Sequence, residues 1–147
     1  MKLTSPAFEH LAEIPKRFTC EGENVSPPLE WSDVPEGTQS LVLLVEDPDA
    51  QTGRFLHWAV WDISPSVTSL AEGEVPPEAK QGLNGFGLPG YGGPCPEPGS
   101  GRHNFVFTLL ALRSDPDVPE GAALGQLRRD IEGQVIERAV LAGTFGR

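Results

Sequence analysis

The sequence predicts a mainly β protein, a sandwich of short strands with a short helix on its outside. Three observations predict it. Seventeen glycines and fifteen prolines punctuate the 147 residues at short intervals, which suits short strands better than βα units. Runs of Val, Leu, Ile and aromatic residues lie between them, and only one segment has a helical period. No internal repeat or linker divides the chain, so residues 1–147 are expected to form one domain. That length buries roughly two-thirds of the unfolded chain's surface, enough for a core without a disulfide or metal staple.

Leu41–Val45 is a continuous apolar run that stops at Glu46-Asp47-Pro48-Asp49, the pattern of a buried strand. His57–Ile63 follows, with His57, Ala59, Trp61 and Ile63 on one face and Trp58, Val60 and Asp62 on the other. Asn104–Leu112 is apolar on both faces, so it belongs inside a sheet covered on two sides. Ala139–Thr144 is the last strand. Leu124, Leu127, Ile131 and Val135 fall on one helical stripe and predict a short amphipathic helix on the β core. Glu74–Arg102 is rich in Gly and Pro with almost no periodicity, and a loop that long inside a domain reads as functional. Trp31, Trp58 and Trp61 read as core.

Eleven basic residues stand against twenty-one acidic ones, a net charge of −10. That balance argues against a nucleic-acid partner or an anionic membrane surface. No stretch approaches the ~18 apolar residues of a membrane span, and Pro6 interrupts any signal-peptide core. The expectation is a cytoplasmic protein with no membrane insertion. In that compartment Cys20 and Cys95 are expected to be free structural thiols.

Gly85-Phe86-Gly87-Leu88-Pro89-Gly90 matches the dinucleotide fingerprint letter for letter. The prolines at 89 and 94 forbid the helix that the fingerprint requires. Asn24-Val25-Ser26 fits a glycosylation sequon, and the two prolines after it read as a turn. No GxSxG, HExxH, GxxxxGK[ST] or CxxC is present, which removes the usual hydrolase, zinc and nucleotide signatures.

What remains is a constellation at strand ends. Asp47-Pro48-Asp49-Ala50 closes the first strand, His57 opens the second and His103 the third, and Gly90–Pro96 lies in the long loop. Singly, each has an ordinary structural reading as a turn or strand-end residue. Together they point to one polar pocket at one end of a sandwich.

These residues resemble the phosphatidylethanolamine-binding protein family, in its bacterial Raf kinase inhibitor-like branch. The resemblance covers nearly the whole chain. It runs through Ser5-Pro6-Ala7-Phe8, the stretch from Phe18 to Trp31, Asp47-Pro48-Asp49-Ala50, His57-Trp58, Tyr91-Gly92-Gly93-Pro94-Cys95-Pro96 and the ending from Leu141 to Arg147. It implies a two-sheet antiparallel β sandwich with one or two short peripheral helices. It also implies an anion pocket lined by Asp47, Asp49, His57, Gly93, Pro94 and His103, taking phosphate or a phosphorylated head group. Further implied partners are a kinase or protease that the protein modulates, and a second copy in a homodimer. The chain departs from the family pattern at Gln51, where a proline is usual, at Asn104-Phe105, where Arg-Tyr is usual, and at Phe145. Tyr91 is the only tyrosine, so a phenolic donor to the anion is expected from it.

A phosphate beside two carboxylates faces a repulsion of several kcal/mol at ~4 Å and an effective dielectric near 20. Three devices offset it: protonated His57 and His103, a nest of backbone N–H groups at Tyr91–Gly93, and carboxylates turned toward the imidazoles. Asp47 is expected to orient His57 in this way. The function expected is non-enzymatic anion binding, without cofactor or metal. The alternative is a small hydrolase or metal-dependent enzyme using the Asp/His pocket.

Overall fold

A computed structural model describes residues 1–147. In chain order its elements are β1 (Lys2–Thr4), β2 (Leu29–Ser32), β3 (Ser40–Asp47), β4 (Phe55–Ile63), β5 (Ser69–Leu70), β6 (Lys80–Gln81), β7 (His103–Leu112), α1 (Leu124–Ile131) and β8 (Val135–Phe145). They form two antiparallel sheets, a five-stranded one in the order β6-β4-β3-β7-β8 and a three-stranded one in the order β1-β2-β5. The mainly β sandwich with one peripheral helix is therefore the architecture.

β3 is buried along its whole length because both faces of the large sheet are covered. Leu41, Leu43 and Val45 join Trp58, Val60, Phe105 and Phe107 between the sheets, where Leu3, Trp31 and Leu70 of the small sheet meet them. Val42 and Leu44 face the other way, with Ala59, Trp61 and Leu110, and are covered by Leu127 and Ile131 of the helix. Each buried large side chain contributes roughly 1.5–3 kcal/mol. All three tryptophans are core, and each indole N–H has an acceptor: the carbonyl of Val67, the Gln81 side chain and the carbonyl of Val118.

The pairing of β3 with β4 slips twice. Leu41 faces Ile63 but Leu43 faces Val60, and Val45 faces Trp58 but Glu46 faces Leu56. Each slip inserts an extra residue on β4, a bulge that changes which face the following side chains take. At the first, Asp62 adopts φ 58° and Ile63 moves to the sandwich core with Trp58 and Val60, away from Ala59 and Trp61. The second lies at His57. Strict alternation over 57–63 is thus corrected at both ends.

The predicted helical stripe also ends early. α1 stops at Ile131, Gly133 takes φ 79°, and Val135 begins β8, because glycine adopts the left-handed region without steric cost. Glu74–Arg102 is not structureless either. It supplies β6 and a bridge between Leu83 and Pro89.

The cysteines are not free: Cys20 and Cys95 form a disulfide with Cα atoms 5.4 Å apart. Cys20 follows a 3-10 turn at Lys16–Phe18, and its amide donates to the Pro94 carbonyl at 3.1 Å, which sets the two loops at bridging distance. The expectation of free thiols rested on compartment and had no access to this proximity. The bridge also removes the reduced-thiol premise of a cytoplasmic placement. No helix is long and apolar enough to cross a membrane.

Candidate functional site

Asp47, at the end of β3, is almost fully buried, and both its oxygens are occupied. Oδ1 accepts the Asp49 amide at 2.7 Å and Oδ2 accepts His103 Nδ1 at 2.7 Å. His103 opens β7 and is itself buried. With Nδ1 committed to the carboxylate, its other ring nitrogen lies 3.1 Å from Ser100 Oγ. The Asp47 carboxylate therefore orients His103, not His57.

His57 is held differently. The bulge leaves it without a partner on β3 and turns its ring toward Phe55, Phe86 and Phe105, with centroids 5.0, 5.7 and 5.3 Å away. Its Nδ1 donates to the Gly92 carbonyl at 2.6 Å, and the Gly92 amide donates back to the His57 carbonyl at 2.9 Å. Burial pushes the imidazole pKa down, and the Gly92 carbonyl and the Asp47 charge oppose that shift only in part. His57 Nε2 has no partner in the chain and is open to the cavity.

That cavity, of about 250 Å³, is lined by Asp47, His57 and His103 on the strand side. Phe55 and Phe86 give it an apolar wall. Ala50, Gln51, Thr52, Cys95, Pro96, Glu97 and Ser100 complete the mouth. Four larger depressions lie elsewhere, among them one beside β1 and β8 and one beside α1. None holds a histidine paired with a carboxylate. No three His, Cys, Asp or Glu side chains converge as a metal's ligand set would need.

The other residues expected in the pocket stand behind it. Asp49 is exposed and accepts from the Asn104 amide at 2.8 Å and the Asn104 side chain at 3.0 Å, clamping the start of β7. Tyr91 turns inward, donates to the Phe18 carbonyl at 2.7 Å and packs edge-on against Trp58. Burial raises the pKa of its phenol strongly, and it offers no donor to the cavity. The Gly93 amide donates to Asn24 Oδ1 at 2.8 Å. A Cβ at Gly93 would sit 2.3 Å from the Phe18 carbonyl oxygen, so only glycine fits that approach. The Pro94 carbonyl accepts from Cys20. The expected nest at Tyr91–Gly93 is closed, since the Gly92 and Gly93 amides are both engaged. These residues anchor the loop that holds His57.

Ser100, Phe55 and Phe86 are not singled out as site residues by sequence reasoning, and Cys95 enters only as part of the Gly90–Pro96 loop. Ser100 alone had a signal: it precedes His103 by three residues across Gly101, a turn that folds its hydroxyl back onto the ring.

Fold and site together define a β sandwich with a small polar cavity at the end of its larger sheet, closed by a disulfide-tethered loop. The chain belongs to the phosphatidylethanolamine-binding protein family, whose model matches residues 4–146. It is similar to the crystal structure of the phosphatidylethanolamine-binding protein homologue CT736 from Chlamydia trachomatis, at 42% identity and a TM-score of 0.93, covering 99% of this chain and 97% of that one. It is similar to E. coli YbcL, described as a member of the mammalian family, at 31% identity and a TM-score of 0.93, covering 99% and 98%. A UPF0098 protein of Chlamydia pneumoniae is 45% identical over 99% of this chain and 98% of its own length. Membership supports a general ligand-binding role.

Proposed function

We propose that the chain binds a small oxyanion, phosphate or a phosphorylated head group, between His57, His103 and Ser100. The observation that carries this reading is the saturated carboxylate of Asp47. An unpaired carboxylate would repel a phosphate by about 4 kcal/mol at ~4 Å and an effective dielectric near 20. Here the charge faces the Asp49 amide and the His103 ring, and the pair is neutral when His103 is protonated. His103 then offers Nε2–H to the ligand, beside the Ser100 hydroxyl.

His57 has the opposite polarity. The Gly92 carbonyl requires a proton on Nδ1, and burial favours the neutral ring, so Nε2 presents a lone pair. A lone pair accepts only from an oxyanion that still carries a proton. Inorganic phosphate keeps one through neutral pH, and a phosphomonoester keeps one below about pH 6. Sulfate has none. The cavity therefore favours phosphate over sulfate.

Titration calorimetry with each ion, from about pH 5.5 to 8, tests the reading. Phosphate should bind at least about tenfold tighter than sulfate, a difference of roughly 1.4 kcal/mol, and its affinity should change with pH. Equal affinities, or a flat pH profile, would remove the assigned roles of the two rings. Nothing in the cavity points to a kinase or protease partner, and the reading stops at the small ligand.

A further inference from the structure

Ser100, His103 and Asp47 stand in a second relationship besides the one that anion binding uses. Ser100 Oγ is 3.1 Å from one nitrogen of His103, the other nitrogen is 2.7 Å from Asp47 Oδ2, and the second carboxylate oxygen accepts a backbone amide. Nucleophile, base and orienting acid follow one another at hydrogen-bond distance, in the order that activates a serine for acyl transfer. Asp47 and His103 are buried, while Ser100 is exposed at the cavity mouth, where a substrate can reach it. We propose that these three residues form an acyl-transfer triad and that the cavity cleaves small carboxylic esters through an acyl-Ser100 intermediate.

Neutral His103, with its proton on the Asp47 side, leaves Nε2 free to accept. In the resting arrangement the Ser100 hydroxyl also reaches the Glu97 carbonyl at 2.7 Å. Turning its hydrogen from that carbonyl to Nε2 needs only rotation about the Cβ–Oγ bond. Oγ then attacks the ester carbonyl carbon, and the hydroxyl proton passes to His103 Nε2. Asp47 stabilises the imidazolium. The tetrahedral adduct collapses, the bond to the alkoxy oxygen breaks, and Nε2–H protonates the departing alcohol. Water attacks the acyl-serine next, giving one proton to Nε2, and Nε2 returns it to Oγ as the carboxylic acid leaves. The amides of Cys95, which lines the cavity, and of Gly101, next to the serine in sequence, donate to nothing in the chain and remain available to a developing oxyanion. Phe55 and Phe86 limit the acyl group to one that fits about 250 Å³.

This activity rests on the reading that the cavity admits a small ligand, and the two are separable. The intact chain is treated with a fluorophosphonate probe and analysed by peptide mass spectrometry, and the same preparation is titrated with inorganic phosphate by calorimetry. The expected result is one adduct, on Ser100, slowed by competing phosphate. In Ser100→Ala, an exposed substitution that spares the core, labelling and p-nitrophenyl acetate hydrolysis should fall at least about 100-fold. Asp47 is the positioning residue. In Asp47→Asn, 15N NMR should show loss of the Nδ1–H tautomer of His103 together with the loss of labelling, which general loosening would not produce. An unlabelled wild type that still binds phosphate overturns the triad and leaves the oxyanion reading standing. Labelling of Ser100 with no phosphate binding overturns the oxyanion reading alone. Hydrolysis undiminished in Ser100→Ala overturns the triad.

Discussion

His57 and His103 enter one cavity from the two strands that flank β3, and they are held there by opposite means. A carboxylate holds His103, so its position depends on one buried contact with Asp47. A main-chain carbonyl holds His57, so its position depends on everything that fixes Gly92: the bridge Cys20–Cys95, the Gly93–Asn24 bond and the Tyr91–Phe18 bond. The carboxylate fixes the tautomer of His103, whereas at His57 burial depresses the pKa and the Gly92 carbonyl opposes it only in part. Two chemically identical side chains thus acquire different work from their supports.

Separating the two supports tests that difference. The largest effect is expected from removing the bridge. Cys20→Ala with Cys95→Ala releases a loop spanning 75 positions and should lower stability by roughly 4 kcal/mol in the loop-entropy account. Denaturant unfolding measures this, and NMR should show broadening at His57 before His103. Asp47→Ala attacks the other support. It should cost roughly 3 kcal/mol, because a buried partner is left uncompensated, and should displace His103 while the Gly92 bond to His57 persists. Gly93→Ala drives a Cβ into the Phe18 carbonyl and Asn24. About 1–3 kcal/mol of overpacking strain is expected, again read at His57.

Tyr91→Phe deletes one hydrogen bond and should cost about 1 kcal/mol, with phosphate affinity held within about twofold since the phenol faces the core. The smallest effect concerns acid stability. The pKa of His57 is depressed in the folded protein, so below its ordinary value near 6.5 the unfolded chain takes a proton that the folded one refuses. The stability this group contributes is present above about pH 6.5 and declines as pH falls toward the folded pKa. His57→Gln should remove that part of the acid slope in a series of melts.

The long strands were legible in the sequence because their apolar runs are long. Leu41–Val45, Asn104–Leu112 and Ala139–Thr144 all lie inside observed strands. The small sheet was not legible, since its strands have three, four and two residues, too short for periodicity to register. The face taken by His57 was hidden for another reason. A bulge is decided by pairing with β3, and nothing local at His57 announces the slip. At the site, the turn chemistry around Asp47 and the strand-end placement of His103 could be read from residue types, whereas His57 stands third in β4, which begins at Phe55. Which carboxylate meets which ring could not, because Asp47 and His103 are 56 positions apart.

The outer edge of β8 is covered near its end by the chain's own beginning. The Leu11 and Ile14 amides donate to the carbonyls of Ala142 and Thr144, and the Thr144 amide donates to Ala12. An open strand edge invites other chains to pair with it, and this one can be sealed only by segments that lie about 130 residues apart in synthesis. On the ribosome the sealing strip is made first and must wait for its counterpart to emerge. Until β8 has emerged, the nascent sheet has an open flank, and that interval is where a holding chaperone has most to do.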